Sequence, residues 1–105
     1  MTIGKICVIM RDDLIKGNIT IGDNTSIESS VIITGSSEYP TIIGKNVVIK
    51  GTTYIFGSII EDDLFIEHSV LKCKRVERTV RKDGTIQPVR WVMPQPQGLD
   101  IVRDL

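Results

Sequence analysis

The chain has 105 residues and a mass of 11.7 kDa, which allows one small domain. Its 13 Lys and Arg residues balance 13 Asp and Glu residues, which excludes a uniformly basic nucleic-acid binder and an acidic tail. No apolar run reaches the roughly 18 residues of a membrane span, and the first ten residues, which include Lys5, lack a signal-peptide cleavage site. We therefore expect a cytoplasmic protein with no membrane partner. Ile occurs 18 times and Ala never, a composition that favours strands over helices.

A six-residue period runs through the first two thirds of the chain. Ile occupies every sixth position from residue 3 to residue 33, and after a break the same spacing continues at Ile43, Ile49 and Ile55. The position four residues after each of these Ile is mostly small or aliphatic, and Gly and Asn recur where the chain must turn. The pattern predicts a β-solenoid, in which short strands and tight corners bring every sixth side chain into an inward column.

The beginning of the chain departs from the period. Asp13 places an acid at an inward position, and residues 10–13 lack the Gly-Asn corner. We therefore expect residues 3–14 to form a strand or cap instead of a regular coil, and we assign the repeat-built core to residues 15–73.

Two further breaks interrupt the core. Four extra residues before Ile43 predict a loop, GSSEYP at 35–40, that projects from one corner. Counting four residues on from the later Ile places Ile59 and Val70 at inward positions. The period then fails, because Lys72 occupies a position where Ile is expected.

After the core we expect a β-hairpin at residues 74–93 and a tail at 94–105. Two β-type runs flank Asp83-Gly84, a strong two-residue hairpin signal. Pro88 restricts the second run to a sheet edge or a bulge. The tail begins with a Pro-rich segment, and we expect it to end in a short strand or turn.

Part of the repeat resembles a known family. Residues 19–27, ITIGDNTSI, resemble the left-handed β-helix of hexapeptide-repeat proteins. Residues 31–33, the loop and YPTIIGKNVVI at 39–49 are similar to γ-class carbonic anhydrases and their relatives, in which a loop leads to a YPxxIG segment. The resemblance covers about residues 15–73 and implies a left-handed parallel β-helix and a homotrimer. The predicted fold is therefore all-β, with about three to four single-stranded coils and a C-terminal β-hairpin.

The resemblance also implies a zinc ion at each subunit interface, held by three His. Carried over residue by residue, the ligand positions fall on Thr34, Gly51 and Phe56, none of which has an imidazole. A catalytic zinc requires about three protein ligands and an open position. We therefore predict the scaffold without the family's chemistry: no metal, no cofactor, and a Phe56 side chain that fills the former ligand position.

His68 is the one His of the chain and a weak candidate for a catalytic residue. Hexapeptide-repeat acyltransferases use a single His at a subunit interface, but they also need a long pantetheine groove, built from more coils than this chain holds. Because His68 lies two residues after the inward Ile66, we favour a His on a surface face or corner. Glu61-Asp62-Asp63 and Glu67 could bind a hard cation, but the corner position of this cluster favours a solvated turn.

The two parts of the chain differ in charge. Residues 1–71 have five bases and nine acids, a net charge of −4, and residues 72–105 have eight bases and four acids, a net charge of +4. The possible basic patch consists of Lys72, Lys74, Arg75, Arg78, Arg81, Lys82 and Arg90. With Trp91 nearby, and with Lys72 and Lys74 on one face, this patch is suited to RNA, DNA or an acidic protein. Alternatively, the charges of this patch keep a sheet edge soluble, or they pair with the acidic coils of a neighbouring subunit.

Three functions remain open from the sequence. The first is a non-catalytic γ-carbonic-anhydrase-like trimer that serves as a scaffold or binding protein, which the absent zinc ligands favour. The second is an enzyme, either an acyltransferase or a hydratase with a rearranged metal site. The third is an adaptor that binds nucleic acid or an acidic partner through residues 72–90.

Overall fold

The computed structural model of the chain describes residues 1–77, 79–82, 85–88, 91–92 and 102–105. This part of the chain is all-β and contains no helix, and its parallel strands stack into a solenoid of about 4 turns. The all-β solenoid that the six-residue period predicts is thereby confirmed. Among the residues described, no helix has the length and apolar character of a membrane span.

Each turn consists of three short strands. The first turn contains β1 (Thr2–Ile3), β2 (Val8–Ile9) and β3 (Leu14–Gly17). The second contains β4 (Ile19–Ile21), β5 (Ser26–Ile27) and β6 (Val31–Gly35). The third contains β7 (Thr41–Ile43), β8 (Val48–Lys50) and β9 (Thr53–Phe56), and the fourth contains β10 (Ile59–Ile60), β11 (Phe65–Glu67) and β12 (Val70–Lys72). They are followed by β13 (Lys74–Val76), β14 (Thr79–Lys82), β15 (Thr85–Pro88), β16 (Trp91–Val92) and β17 (Val102–Asp104).

Corresponding strands of successive turns pair in parallel and form three sheets. Sheet A contains β1, β4, β7, β10 and β13, with β17 added antiparallel to β13. Sheet B contains β2, β5, β8, β11 and β16, and sheet C contains β3, β6, β9 and β12. The solenoid therefore has three faces, and we name its corners AB, BC and CA after the sheets that they join.

The register between turns explains the six-residue period and its breaks. Thr2 lies opposite Thr20, 18 positions later, which is three units of six. Thr20 lies opposite Ile42, 22 positions later, because the loop at 35–40 adds four residues at corner CA. Ile42 lies opposite Ile59, only 17 positions later, so the third turn has lost one residue.

Inward columns of Ile form the core. In sheet B, Ile27, Ile49 and Ile66 lie opposite one another in successive turns, and each is 0% exposed. The side chains two positions earlier in the chain are buried as well, so each strand contributes two residues to the interior. Full burial of an Ile side chain stabilises the fold by roughly 1.5–3 kcal/mol, and the columns are therefore the main source of stability.

The inward positions shift by one residue in the fourth turn. Ser58 and Ser69 are buried, whereas Ile59 is half-buried and Val70 is 75% exposed. The prediction that Ile59 and Val70 face inward is wrong, because the preceding corners are one residue shorter than the period assumes. The Ser58 hydroxyl donates to the carbonyl oxygen of Leu71 at 3.0 Å, which satisfies this polar group in the interior.

Residues 2–17 form a regular first turn instead of the separate strand or cap that we expected. Their strands β1, β2 and β3 pair in parallel with β4, β5 and β6. The Asp13 carboxylate accepts hydrogen bonds from the backbone N–H of Val31 at 3.0 Å and of Met10 at 3.1 Å. Burial nevertheless raises the pKa of Asp13 above its ordinary value. The acid at this position thus connects the first turn to the second.

The solenoid continues beyond residue 73. Leu71, and not Lys72, takes the inward position in β12, and Val76 in β13 is 0% exposed. Residues 74–76, which the sequence assigns to the hairpin segment, therefore belong to sheet A. The predicted end of the period at Lys72 is wrong, again because a shorter corner moves the inward position back by one.

The hairpin and the tail lie beyond this strand. Strands β14 and β15 pair antiparallel, with Thr79 opposite Pro88 and Lys82 opposite Thr85. The predicted hairpin signal Asp83-Gly84 lies outside the described residues. The tail ends in β17, which matches the short strand or turn expected there.

The inward and outward positions of one strand provide a direct test of the core. We expect Ile43→Ala to lower the free energy of unfolding by about 2–5 kcal/mol, because Ile43 is 1% exposed and truncation leaves a cavity. Its neighbour Ile42 is 42% exposed, so Ile42→Ala should cost less than about 1 kcal/mol. Chemical denaturation of both variants measures the difference, and equal losses would contradict the assignment of inward positions.

Candidate functional site

The three positions that correspond to zinc ligands in γ-class carbonic anhydrases are Thr34, Gly51 and Phe56, which lie in or next to β6 and β9. Thr34 in β6 is directly opposite Phe56 in β9, at the end of the strands near corner CA. Gly51 precedes β9 and lies at corner BC. Among the described residues, no group of three His, Cys, Asp or Glu side chains is placed to hold a metal ion.

The Phe56 side chain contacts the loop that interrupts the repeat. Its ring centroid lies 6.2 Å from that of Tyr39, with the planes tilted by 51°. The loop is closed on itself, because the backbone N–H of Ser36 donates to the Tyr39 carbonyl at 3.0 Å and the Tyr39 N–H donates to the Ser36 hydroxyl at 3.0 Å. Gly57 has a φ of 57°, and a Cβ atom there would lie 2.9 Å from Cβ of Tyr39. Phe56 thus packs against an aromatic side chain of the loop.

His68 lies at corner BC, exposed and with a φ of 50°. Its Nδ1 atom accepts a hydrogen bond from the backbone N–H of Thr52 at 3.1 Å. The corner borders an open groove of 530 Å³, which Glu28, Lys50 and Glu67 also line. The Lys50 ammonium lies 3.7 Å from the Glu28 carboxylate and 5.4 Å from the centre of the Phe65 ring. The contact that His68 makes is therefore structural, since it satisfies the backbone of the adjacent turn.

Glu61, Asp62 and Asp63 form part of corner AB, whereas Glu67 ends β11 and lines the groove at corner BC. The Asp62 carboxylate accepts a hydrogen bond from the Lys45 backbone N–H at 2.9 Å. Next to it, Asn24 donates its side-chain amide to Asn46 at 2.9 Å, and Asn46 donates to Asp63 at 3.1 Å. These side chains build a hydrogen-bonded ladder down the corner, and the interpretation as a turn fits this geometry better than a cation site.

The basic patch is divided by corner CA. Lys72 is in sheet C and Lys74 is in sheet A, separated by Cys73 with a φ of 52°. The prediction that the two lysines share a face is therefore wrong. The Lys74 ammonium forms an ion pair with Asp104, and the Arg75 guanidinium lies 3.0 Å from the carboxylate of Glu61.

The remaining basic residues are described less completely. Arg78 and Arg90 lie outside the described residues, and Arg81 and Lys82 belong to β14. Of the cations whose side chains are described, Lys74 and Arg75 are thus paired with acids of the same chain. These pairs leave less charge available for an acidic ligand than the sequence alone indicates.

Sequence reasoning missed an exposed apolar ladder on the outside of sheet C. It consists of Leu14, Ile32, Tyr54 and Val70, which are 51%, 39%, 39% and 75% exposed. Each lies opposite the next in the strand register. The sequence does contain a signal for this ladder, because each of its residues directly precedes an inward residue of a column. Residue type alone could not reveal it, since an exposed apolar residue next to an inward Ile looks like part of the core.

Comparisons with protein-family models, with curated proteins and with solved structures find no match for this chain. The relation to hexapeptide-repeat proteins and γ-class carbonic anhydrases is therefore a resemblance carried by the repeat and the YPTIIG segment.

The contact of His68 predicts how this corner responds to substitution. We expect His68→Ala to lower the free energy of unfolding by about 1 kcal/mol, because Ala removes the acceptor for Thr52 and tolerates positive φ less well. His68→Asn should lose less than half as much, since Asn tolerates this φ and its side-chain oxygen can accept the bond. Thermal or chemical unfolding measures both. An acyl-transfer activity that either variant abolishes without loss of fold would make His68 catalytic and contradict the structural role.

Proposed function

We propose that the protein is a non-catalytic scaffold or binding protein that assembles as a homotrimer on a γ-carbonic-anhydrase-like left-handed β-helix. The exposed apolar ladder on sheet C is the observation that carries this proposal. Three further points support it: the contrast between sheet C and the other faces, the small size of the chain, and the side chains at the former ligand positions.

The outer surface of sheet C differs from that of the other two faces. In its ladder, Ile32 and Tyr54 occupy the central turns, and the row continues into the first and fourth turns without a charged side chain. Sheet A, in contrast, has Thr20 and Arg75 in the corresponding outward row with Ile42. Continuous exposed apolar patches on small proteins mark interaction surfaces. The described outward row of sheet B is also uncharged, but beyond the first turn its side chains are half-buried. The ladder therefore favours sheet C as the face that contacts a partner.

A chain of this size gains from burying such a face. Small domains bury a low fraction of their surface, so additional burial by assembly contributes a large share of their stability. A flat face fits a closed cyclic assembly, in which three copies turn sheet C toward a common axis. The resemblance to a trimeric family favours this number of copies over two.

The side chains at the former ligand positions favour a scaffold over an enzyme. Thr34 and Phe56 lie opposite each other without an imidazole, and the Tyr39 ring packs against Phe56. His68 is engaged with the backbone of Thr52. A trimer of this kind would present sheets A and B as binding surfaces for other molecules.

The ladder provides a matched test of lateral assembly. Sedimentation or light scattering should give a number of chains that is a multiple of three, about 35 kDa for three chains of 11.7 kDa. In the Ile32→Lys variant the number of chains should no longer be a multiple of three, because the substitution places a charge in the ladder. Ile42→Lys is the control, since Ile42 has a similar exposure of 42% but lies on sheet A. A wild-type assembly that is not a multiple of three, or one that Ile32→Lys leaves intact, would contradict the trimer.

Metal analysis tests the absence of chemistry separately. We expect protein purified without chelators to contain far less than one zinc per chain, because Thr34, Gly51 and Phe56 replace the three ligands. Elemental analysis by mass spectrometry measures the ratio. Zinc at one ion per chain, retained after dialysis, would contradict the non-catalytic proposal and favour the hydratase.

A further inference from the structure

The first turn of the solenoid exposes side chains that lie at inward positions. Ile3 and Ile9 continue the inward columns of sheets A and B, yet they are 43% and 38% exposed. Directly beneath them, Ile21 and Ile27 are 1% and 0% exposed. Strands β1, β2 and β3 are the edge strands of all three sheets at this end. Among the residues that the structure describes, no strand pairs with the outer edges of β1, β2 and β3, and the inward side chains next to these edges are exposed.

The opposite end of sheet A is closed by the chain itself. Strand β17 lies antiparallel to β13, with Val102 opposite Val76. The pairing is supported by the ion pair between Lys74 and Asp104 and by the hydrogen bond from the Leu105 N–H to the Cys73 carbonyl at 3.1 Å. Exposed strand edges favour unwanted pairing and are normally covered. The structure thus shows an antiparallel strand closing a coil at one end, and the first turn lacks such a strand among the described residues.

Ile6 is a second, independent indication of contact at the N-terminal end. It lies at corner AB with a φ of 58° and is 82% exposed. In the following turns the same corner position holds Asn24, Asn46 and Asp63, with φ of 57°, 57° and 62°. Asn and Asp tolerate this conformation, but a β-branched residue is strained in it. An exposed and strained Ile is unfavourable for the isolated chain, and a contact that buries it would explain its presence.

We propose that the N-terminal end of the solenoid is a docking surface for a second copy of the chain, which binds end to end about a two-fold axis. A partner that covers this end must present three strand edges arranged like β1, β2 and β3. It must also present inward apolar side chains that continue the columns of Ile3 and Ile9. The first turn of another copy has this shape. A two-fold axis across the end sets the two chains in opposite directions, so their edge strands meet antiparallel, as β17 meets β13.

Charge and apolar content both fit contact between two identical ends. Residues 1–18 contain three bases and two acids, so two such surfaces do not strongly repel each other. Thirteen large apolar side chains are exposed among the described residues, and seven of them lie in the first 14 residues. They are Met1, Ile3, Ile6, Val8, Ile9, Met10 and Leu14. Apolar surface is thus concentrated where the docking surface is proposed.

This contact uses residues other than those of the sheet C trimer, except for Leu14 at the edge of both. The two proposals can therefore fail separately, and the number of chains in the wild-type assembly distinguishes the results. Six chains agree with both proposals, and two chains agree with end-to-end docking alone. Three chains agree with the trimer alone, and a monomer agrees with neither.

Substitution of Ile6 tests the docking surface. We expect Ile6→Asn to halve the number of chains measured by sedimentation across a dilution series. Circular dichroism of the variant should match that of the wild type, because Asn tolerates this φ and the fold of the single chain is kept. Ile6→Lys is a second variant at the same exposed position. Ile32→Lys is the control, in which the number of chains should remain even. Halving in either Ile6 variant supports the proposal. An odd number of chains in the wild type, or an even number that neither variant halves, would overturn it and assign this end to a different partner.

Discussion

The stacking of inward Ile columns is the interaction on which the rest of this structure depends. Ile27, Ile49 and Ile66 are completely buried because every turn returns the chain to the same register. That return requires corners with positive φ, and the side chains of Asn24, Asn46 and Asp63 both tolerate this conformation and bind one another along the axis. A strand that points one side chain inward must point the next outward. The same register therefore aligns the outward residues, and the exposed ladder on sheet C is a direct consequence of the core.

Much of the fold was readable from the sequence, because a repeated turn needs a repeated residue. The Ile period identified the solenoid, and its interruption located the loop at 35–40. The period could not locate the shortened corners, where Ser58 replaces the expected Ile59 on the inside. Ser fits an inward position when its hydroxyl donates to a backbone carbonyl, as Ser58 does to Leu71. Because this partner is 13 residues away, a count of six-residue intervals does not reveal it.

The candidate site was predictable only where residue type decided the chemistry. The lack of imidazoles at Thr34, Gly51 and Phe56 followed from the sequence alone. Lys72 and Lys74 do not form one surface, because they lie in sheets C and A and Lys74 pairs with Asp104, which is 30 positions away. The sequence did not reveal the exposed ladder on sheet C or the exposed side chains of the first turn, because residue type does not decide exposure. An exposed Ile in a solenoid looks the same in the sequence as a buried one, and only the register shows which residues lack a neighbour.

In the part of the chain that the structure describes, most of the exposed large apolar side chains lie on the outside of sheet C and in the first turn of the solenoid. A scaffold that assembles accounts for them, since assembly buries the surfaces that the single chain leaves open. Native mass spectrometry of the untagged wild-type protein tests this account most directly, because one spectrum reports both the number of chains and any bound metal. We predict a metal-free assembly whose number of chains is a multiple of three. A monomer, or an assembly that contains one zinc ion per chain, would contradict the account.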